Sequence, residues 1–376
     1  MSIRTTYLEY LNRMLPDITV TYDYVPMDYY SSTLNTQLLS ETGPDIIEVG
    51  GETRLMAVSG KLLDLTEQSF VNQYSAASLT PYSVNGLIYA TPLQSWFEGI
   101  FYNKRIFEQY GLSPPHTFDE FIELHKQLTK VGIKPQTMGA QSWEPLMKQS
   151  IGMVGNDFYS MKENASFDLE FDATRETLKE NWLPAVTEWS RLITEGCLTP
   201  DMLNYSYEQA MDEFANEQAA MWESGPWSVG AILQKNPDIQ LGMFPIPGTK
   251  EGTGWLIGGP GSALAVNKNS RHIDAVLKVL AVTATPEAQA ALLADSEGMS
   301  SVVDVDADLG PIYSDCEAAL EAGHIYAPWI TTWTYGNPIV ETYGKALQDV
   351  LAGQKTVEEA LQEADEVNRK MHELPK

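Results

Sequence analysis

Apolar residues recur at three- and four-residue spacing at the start of the chain, at Tyr7, Leu8, Leu11, Met14 and Leu15, and Pro16-Asp17 closes the run. This spacing predicts an amphipathic helix that stops at the proline. The period then changes. Ile18, Val20, Tyr22 and Tyr24 alternate with polar or small neighbours, which predicts a half-buried strand interrupted by Pro26. A helix over about 29–40 and an apolar strand over 46–49 follow. Further on, Phe118, Phe121, Ile122, Leu124 and Leu128 form a helical stripe, and Thr117 with Glu120 supplies a capping box at its start. Thr356 with Glu359 repeats that device ahead of Val357, Ala360, Leu361, Ala364 and Val367, and Pro286 stands at the first position of another helix. Short strands bounded by Gly and Pro are predicted at 240–244 and 262–267. Strands alternating with helices indicate α/β layers.

Length and charge narrow this picture. At 376 residues the chain exceeds the size at which one hydrophobic core stops growing, so two domains are expected. No apolar run approaches the 18 or so residues needed to span a bilayer. A formal charge of −27 argues against nucleic acid or an anionic membrane surface as partner, because both need a concentrated basic footprint. The acidic run Glu358, Glu359, Glu363, Asp365 and Glu366 reads as a solvated helix face. Cys197 and Cys316 stand alone in no metal-binding spacing, and whether they pair is left open.

Two distant blocks carry the functional signal. The first is Gly86-Leu87-Ile88-Tyr89-Ala90-Thr91-Pro92 with Tyr102-Asn103-Lys104 and Tyr110-Gly111-Leu112. The second runs from Phe214 to Met221 and on to Gly225-Pro226-Trp227, and Gly43-Pro44-Asp45, Gly60-Lys61-Leu62 and Gly353-Gln354-Lys355 add matching pieces. In order and separation these blocks resemble the extracellular solute-binding proteins of bacterial ABC importers, in the maltose-binding-like branch that captures sugars. The resemblance implies an α/β, two-lobed periplasmic-binding-protein type II fold, a venus flytrap that closes by hinge motion. One lobe would comprise 1–95 plus 260–305 and the other 100–257 plus 310–376, with crossings near 92–99, 256–261 and 303–311. The family begins its first domain with a strand. Only Met1 to Arg4 precede the first helix here, so that strand looks missing.

By the same resemblance the protein is a monomer that binds a sugar or oligosaccharide between its lobes and delivers it to ABC transporter permease subunits. It would work outside the cell, as a surface lipoprotein or in the periplasm, with an export signal that is absent from this sequence. A non-sugar solute, such as a phosphate ester or polyamine, and glycoside cleavage are the rival readings. No HExxH, GxxxxGK[ST], complete GxGxxG or GxSxG motif occurs, so no enzyme, cofactor or metal is expected. Asp304, Asp306, Asp308 and Asp315 follow a calcium-loop spacing, but Leu309 stands where the turn needs glycine.

A sugar ring has an apolar C–H face and a rim of hydroxyls, so the side chains to seek are indoles with carboxylates or amides beside them. Of nine tryptophans, Trp182 and Trp189 sit in a helical pattern and are read as core. Trp227, closing the Gly225-Pro226-Trp227 turn, is the leading ligand-binding candidate, and the family puts an aromatic against its ligand there. Trp255 and Trp96 lie at expected crossings, and Trp143 lies in a loop before a helix. Trp329, Trp333 and Tyr335 crowd the stretch from Pro328 to Pro338, which reads as a binding loop. Glu52 and Arg54 follow flexible glycines after a buried strand, where ligands approach such sheets.

Overall fold

The computed structural model describes residues 4–25, 27–295, 298–302 and 309–373. It divides into two compact units, Met1–Trp96 with Gly259–Asp308, and Phe97–Gly258 with Leu309–Lys376.

In the first unit, helix Thr5–Met14 packs on helices Ile273–Thr283 and Pro286–Asp295. The start of that helix has no capping side chain of its own. Asp295 takes the role by accepting from the backbone N–H groups of Thr6 and Tyr7 at 3.0 and 2.9 Å. The sheet is antiparallel, in the order Ile46–Val49, Ala263–Val266, Ala90–Pro92, with Ile47 opposite Ala265. Alternation along these strands feeds two cores. Ile47, Val49, Ala263 and Ala265 pack one face, whereas Leu264 and Val266 pack the other.

One predicted strand does not form. Ile18, Val20 and Tyr22 are half-buried and alternate with exposed Thr19, Thr21 and Asp23, as the pattern requires, whereas Tyr24 is exposed. No strand among the described residues pairs with them, so the segment keeps its amphipathic face without a ladder. Of the residues expected to replace a first strand, only Arg4 is described; its guanidinium bridges Tyr22 at 3.0 Å and Glu48 at 2.7 Å. Asp304, Asp306 and Asp308 also lie outside the described residues.

In the second unit, a five-stranded sheet has the order Lys134–Thr137, Ala219–Ser224, Ser95–Asn103, Leu241–Phe244, with Ile257–Pro260 pairing Ser95–Asn103. The Tyr102-Asn103-Lys104 block is a strand turning into a helix. Asn103 caps helix Lys104–Tyr110 by accepting from the Ile106 N–H at 3.1 Å, and Gly111 ends it with φ 65°, a conformation that favours glycine. The Thr117–Glu120 capping box is formed on helix Phe118–Lys130, and Thr356 caps helix Val357–Glu373 through Glu359. Trp182 and Trp189 are fully buried. Cys197 and Cys316 are free thiols, both buried.

Candidate functional site

Strand Ala219–Ser224 ends at Gly225, and Pro226 opens a short helical turn that carries Trp227. Ser228 fixes the turn by donating its hydroxyl to the Gly225 carbonyl at 2.7 Å. Close approach explains the glycine: a Cβ at position 225 would lie 2.2 Å from the Trp227 ring and 2.6 Å from the Phe97 carbonyl. Trp227 is 44% exposed, where most indoles are highly buried. It is nonetheless held. Its Nε1 donates to the Tyr207 hydroxyl at 3.1 Å, and that hydroxyl lies 2.8 Å from Ser224 Oγ.

A chain of charges runs beside this ring. Gly99 pairs with Ser224 across the sheet, which brings Glu98 alongside Gly225. Lys148 donates to Glu98 at 2.7 Å and to Glu144 at 2.9 Å, the latter one turn earlier on helix Glu144–Val154. Burial pushes the Glu98 carboxyl up, and the Lys148 ammonium draws it part of the way back. Burial would lower Lys148, but the Glu98 and Glu144 carboxylates outweigh it and hold the ammonium above the usual lysine range. Both charges also act on the Tyr207 hydroxyl, whose pKa is raised chiefly by burial.

Glu223, opposite Ile100 on the neighbouring strand, is 5% exposed, with no hydrogen-bond partner on either carboxyl oxygen. Burial first, and then the Glu98 charge, push its carboxyl well above the usual range, against the pull of Lys148. Trp143 precedes Glu144 in the chain and packs against Gly344. It is half-buried, with its carbonyl and ring seated where a Cβ on Gly344 would come within 2.6 Å.

The other aromatic candidates of this unit are differently placed. Trp333, 4% exposed, donates Nε1 to Asp168 at 2.9 Å and packs on Phe171 and Trp182 at centroid distances of 4.6 and 5.6 Å. Trp329 is buried on the short helix Pro328–Thr331, and helix Gly336–Leu351 begins soon after. The stretch from Pro328 to Pro338 is therefore largely helical and anchored in the interior rather than an open loop. Trp255 is buried and stacked on His324 at 4.8 Å, with Gly155 against its ring. Tyr335 is half-buried, edge-on to His372 at 4.8 Å.

In the first unit, Glu52 and Trp96 gather near Gly261. Tyr82 donates to the Gly261 carbonyl, Trp96 Cδ1 lies 3.5 Å from where a Gly261 Cβ would sit, and the Glu52 charge acts on both Tyr82 and Tyr30. Burial first, then Glu52, lifts the Tyr30 hydroxyl to about 12. Arg54 is half-buried on helix Thr53–Val58.

Residues 5–290 match the family described as bacterial extracellular solute-binding protein. The chain belongs to this family. Among its relatives is the multiple sugar-binding protein of Streptococcus mutans, 25% identical over 261 residues, which cover 68% of this chain and 62% of that protein. The match thus spans less than two thirds of that relative's length. The melibiose/raffinose/stachyose-binding protein of Bacillus subtilis is 22% identical over 307 residues, 78% of this chain and 69% of its own. A family 1 extracellular solute-binding protein from Bifidobacterium longum subsp. infantis shares the fold, with TM-score 0.82, 23% identity and coverage of 97% of this chain and 95% of the other.

Tyr207, Glu98, Lys148 and Glu223 of this solute-binding protein escaped the sequence reading. A signal was available for two of them: Glu98 and Glu223 each interrupt an apolar strand, and a charge at such a position needs a partner or a purpose. Glu223 gives a solute-independent prediction. Its folded-state carboxyl is raised above the ordinary value of 4.5, so both folded and unfolded chains carry the proton below that pH. As pH rises further the unfolded chain releases its proton first, and stability falls until the folded carboxyl titrates as well. Glu223→Gln is therefore expected to match wild type in melting temperature near pH 4 and to exceed it increasingly from about pH 5 to 7. Parallel melting profiles across that range would contradict this assignment.

Proposed function

We propose that the protein captures a sugar or oligosaccharide on the indole of Trp227 and delivers it, as a monomer outside the cell, to the permease subunits of an ABC transporter. The observation that carries this reading is a tethered, 44% exposed indole with carboxylates and an ammonium beside it. The ring offers the C–H face of a pyranose an apolar surface, and the Glu98 and Glu144 carboxylates, oriented by Lys148, supply acceptors for its hydroxyl rim. Relatives named for sugars favour this solute class over a phosphate ester or polyamine. Membership in a family of binding proteins favours capture over glycoside cleavage.

The test is a thermal-shift screen with melibiose, raffinose, stachyose and a panel of gluco-, xylo- and arabino-oligosaccharides. A ligand present at a hundred times its dissociation constant adds about 2.7 kcal/mol, or roughly 5 °C for a unit of this size. At least one sugar is expected to give such a shift with no release of reducing ends. A flat response to the whole panel at millimolar concentrations would reject the reading.

A further inference from the structure

We propose that the Glu98–Lys148–Glu144 chain makes the Trp227 patch selective for uncharged and cationic sugars and bars uronic acids and sugar phosphates. This rests on the sugar reading above and adds to it the charge class of the solute.

A lysine near a sugar site is ordinarily the group that recruits a carboxylate or phosphate. Here Lys148 is committed to two carboxylates, at 2.7 Å to Glu98 and 2.9 Å to Glu144. Glu98 and Lys148 are mostly buried, so water screens their pairing weakly. The ammonium contacts at 2.7 and 2.9 Å favour the ionised form of both carboxylates, and two negative charges against one positive leave the chain net negative. Glu223 does not reverse the sign: protonated it adds nothing, and ionised it adds a second negative charge. Lys148 is also the cation whose charge acts on Tyr207, Glu98 and Glu223 alike.

The position of this charge relative to the ring is set by the sheet. The register that pairs Gly99 with Ser224 places Glu98 beside Gly225, whose missing Cβ leaves room for the Trp227 ring. A sugar stacked on that indole therefore lies next to the strand position that carries Glu98. For a sugar carboxylate that comes to about 6 Å from this net charge, an effective dielectric near 20 corresponds to roughly a hundredfold weaker binding. An ammonium on the sugar gains where a carboxylate loses. The carboxylates remain good hydrogen-bond acceptors for neutral hydroxyls, so the same groups that reject an acid serve a neutral sugar.

The experiment is calorimetric titration at low salt with sets that differ only in charge: melibiose and its C6-oxidised uronate, cellobiose and cellobiouronic acid, and diacetylchitobiose with the chitosan disaccharide. For whichever set binds, the uronate is expected to be about a hundredfold weaker than its neutral parent, and the amine at least as tight as its acetylated counterpart. Glu144→Gln removes one charge at a half-exposed position, with little consequence for folding. It is expected to narrow the gap between neutral sugar and uronate at least tenfold. A uronate that binds wild type as well as its neutral parent would overturn the proposal, as would a gap unmoved by Glu144→Gln. The sets are extended by the uronate and the amine of whichever panel sugar gives the largest thermal shift; if no panel sugar binds, the sugar reading itself fails, an outcome distinct from a reversed charge preference.

Discussion

Replacing Trp227 by alanine is expected to weaken sugar binding by roughly a hundredfold while moving the melting temperature of the empty protein by no more than about 2 °C. The two halves of this expectation have separate physical sources. Because Trp227 is 44% exposed, folding gains less from it than from an interior indole, and what folding stands to lose includes the Nε1 hydrogen bond to Tyr207 and the ring's packing over Gly225. A bound sugar would bury much of the remaining face, and indoles at the centre of recognition surfaces commonly contribute about 2–4 kcal/mol, a factor of about thirty to a thousand. Gly225→Ala reaches the same end by another route, since the new methyl would overlap the ring at 2.2 Å and displace it. Both variants should therefore lose affinity together. Calorimetry with the best sugar from the screen, beside scanning calorimetry of the empty protein, decides the matter. A loss of stability beyond about 5 °C in Trp227→Ala would assign the ring to the core, because that is the signature of interior aromatic truncation.

Asp168→Ala is expected to produce the opposite profile, a loss of about 4 kcal/mol of stability and roughly 10 °C in melting temperature, without a direct effect on the sugar. Asp168 is 7% exposed and accepts three hydrogen bonds: from Tyr159 at 2.6 Å, from the Trp333 indole at 2.9 Å, and from Tyr326. Burial pushes its carboxyl up, and these three donors draw it back. Alanine would leave all three donors without an acceptor in an aromatic interior built from Phe167, Phe171 and Trp182. Buried donors stripped of their partner cost about 1–3 kcal/mol each before relaxation. Asp168→Asn tests the account more finely. One oxygen remains for Tyr159 and Trp333, which share Oδ1, while the amide meets Tyr326 at the former Oδ2, so a loss near half that of alanine is expected. Equal losses for alanine and asparagine, or a loss below about 1 kcal/mol for alanine, would show that Trp333 is held by packing alone.

The contrast between Trp227 and Trp333 marks the boundary of what the chain reveals when read as text. Trp227 directly follows Pro226 and Trp333 stands in the Pro328 to Pro338 stretch, and the sequence offers both as ligand-binding candidates. One is tethered by its edge and half open, whereas the other fills an interior whose acceptor, Asp168, lies 165 residues away. The Ile18–Tyr24 segment makes the same point for backbone. Ile18, Val20 and Tyr22 alternate with exposed neighbours as the pattern requires while Tyr24 is exposed, and a strand exists only when another strand pairs with it.

What the sequence determined by itself was local: the capping boxes at Thr117 and Thr356, the apolar stripe of helix Phe118–Lys130, and the family. Each of these depends on residues within about one helical turn of one another, or on the order of short motifs, and spacing alone records them. Only the tertiary structure decided which tryptophans keep a face in water, and that Glu98, Lys148 and Glu223 converge beside one of them. Those outcomes are set by which distant segments come to lie together and by the cost of burying charge there, and no periodicity along the chain encodes either.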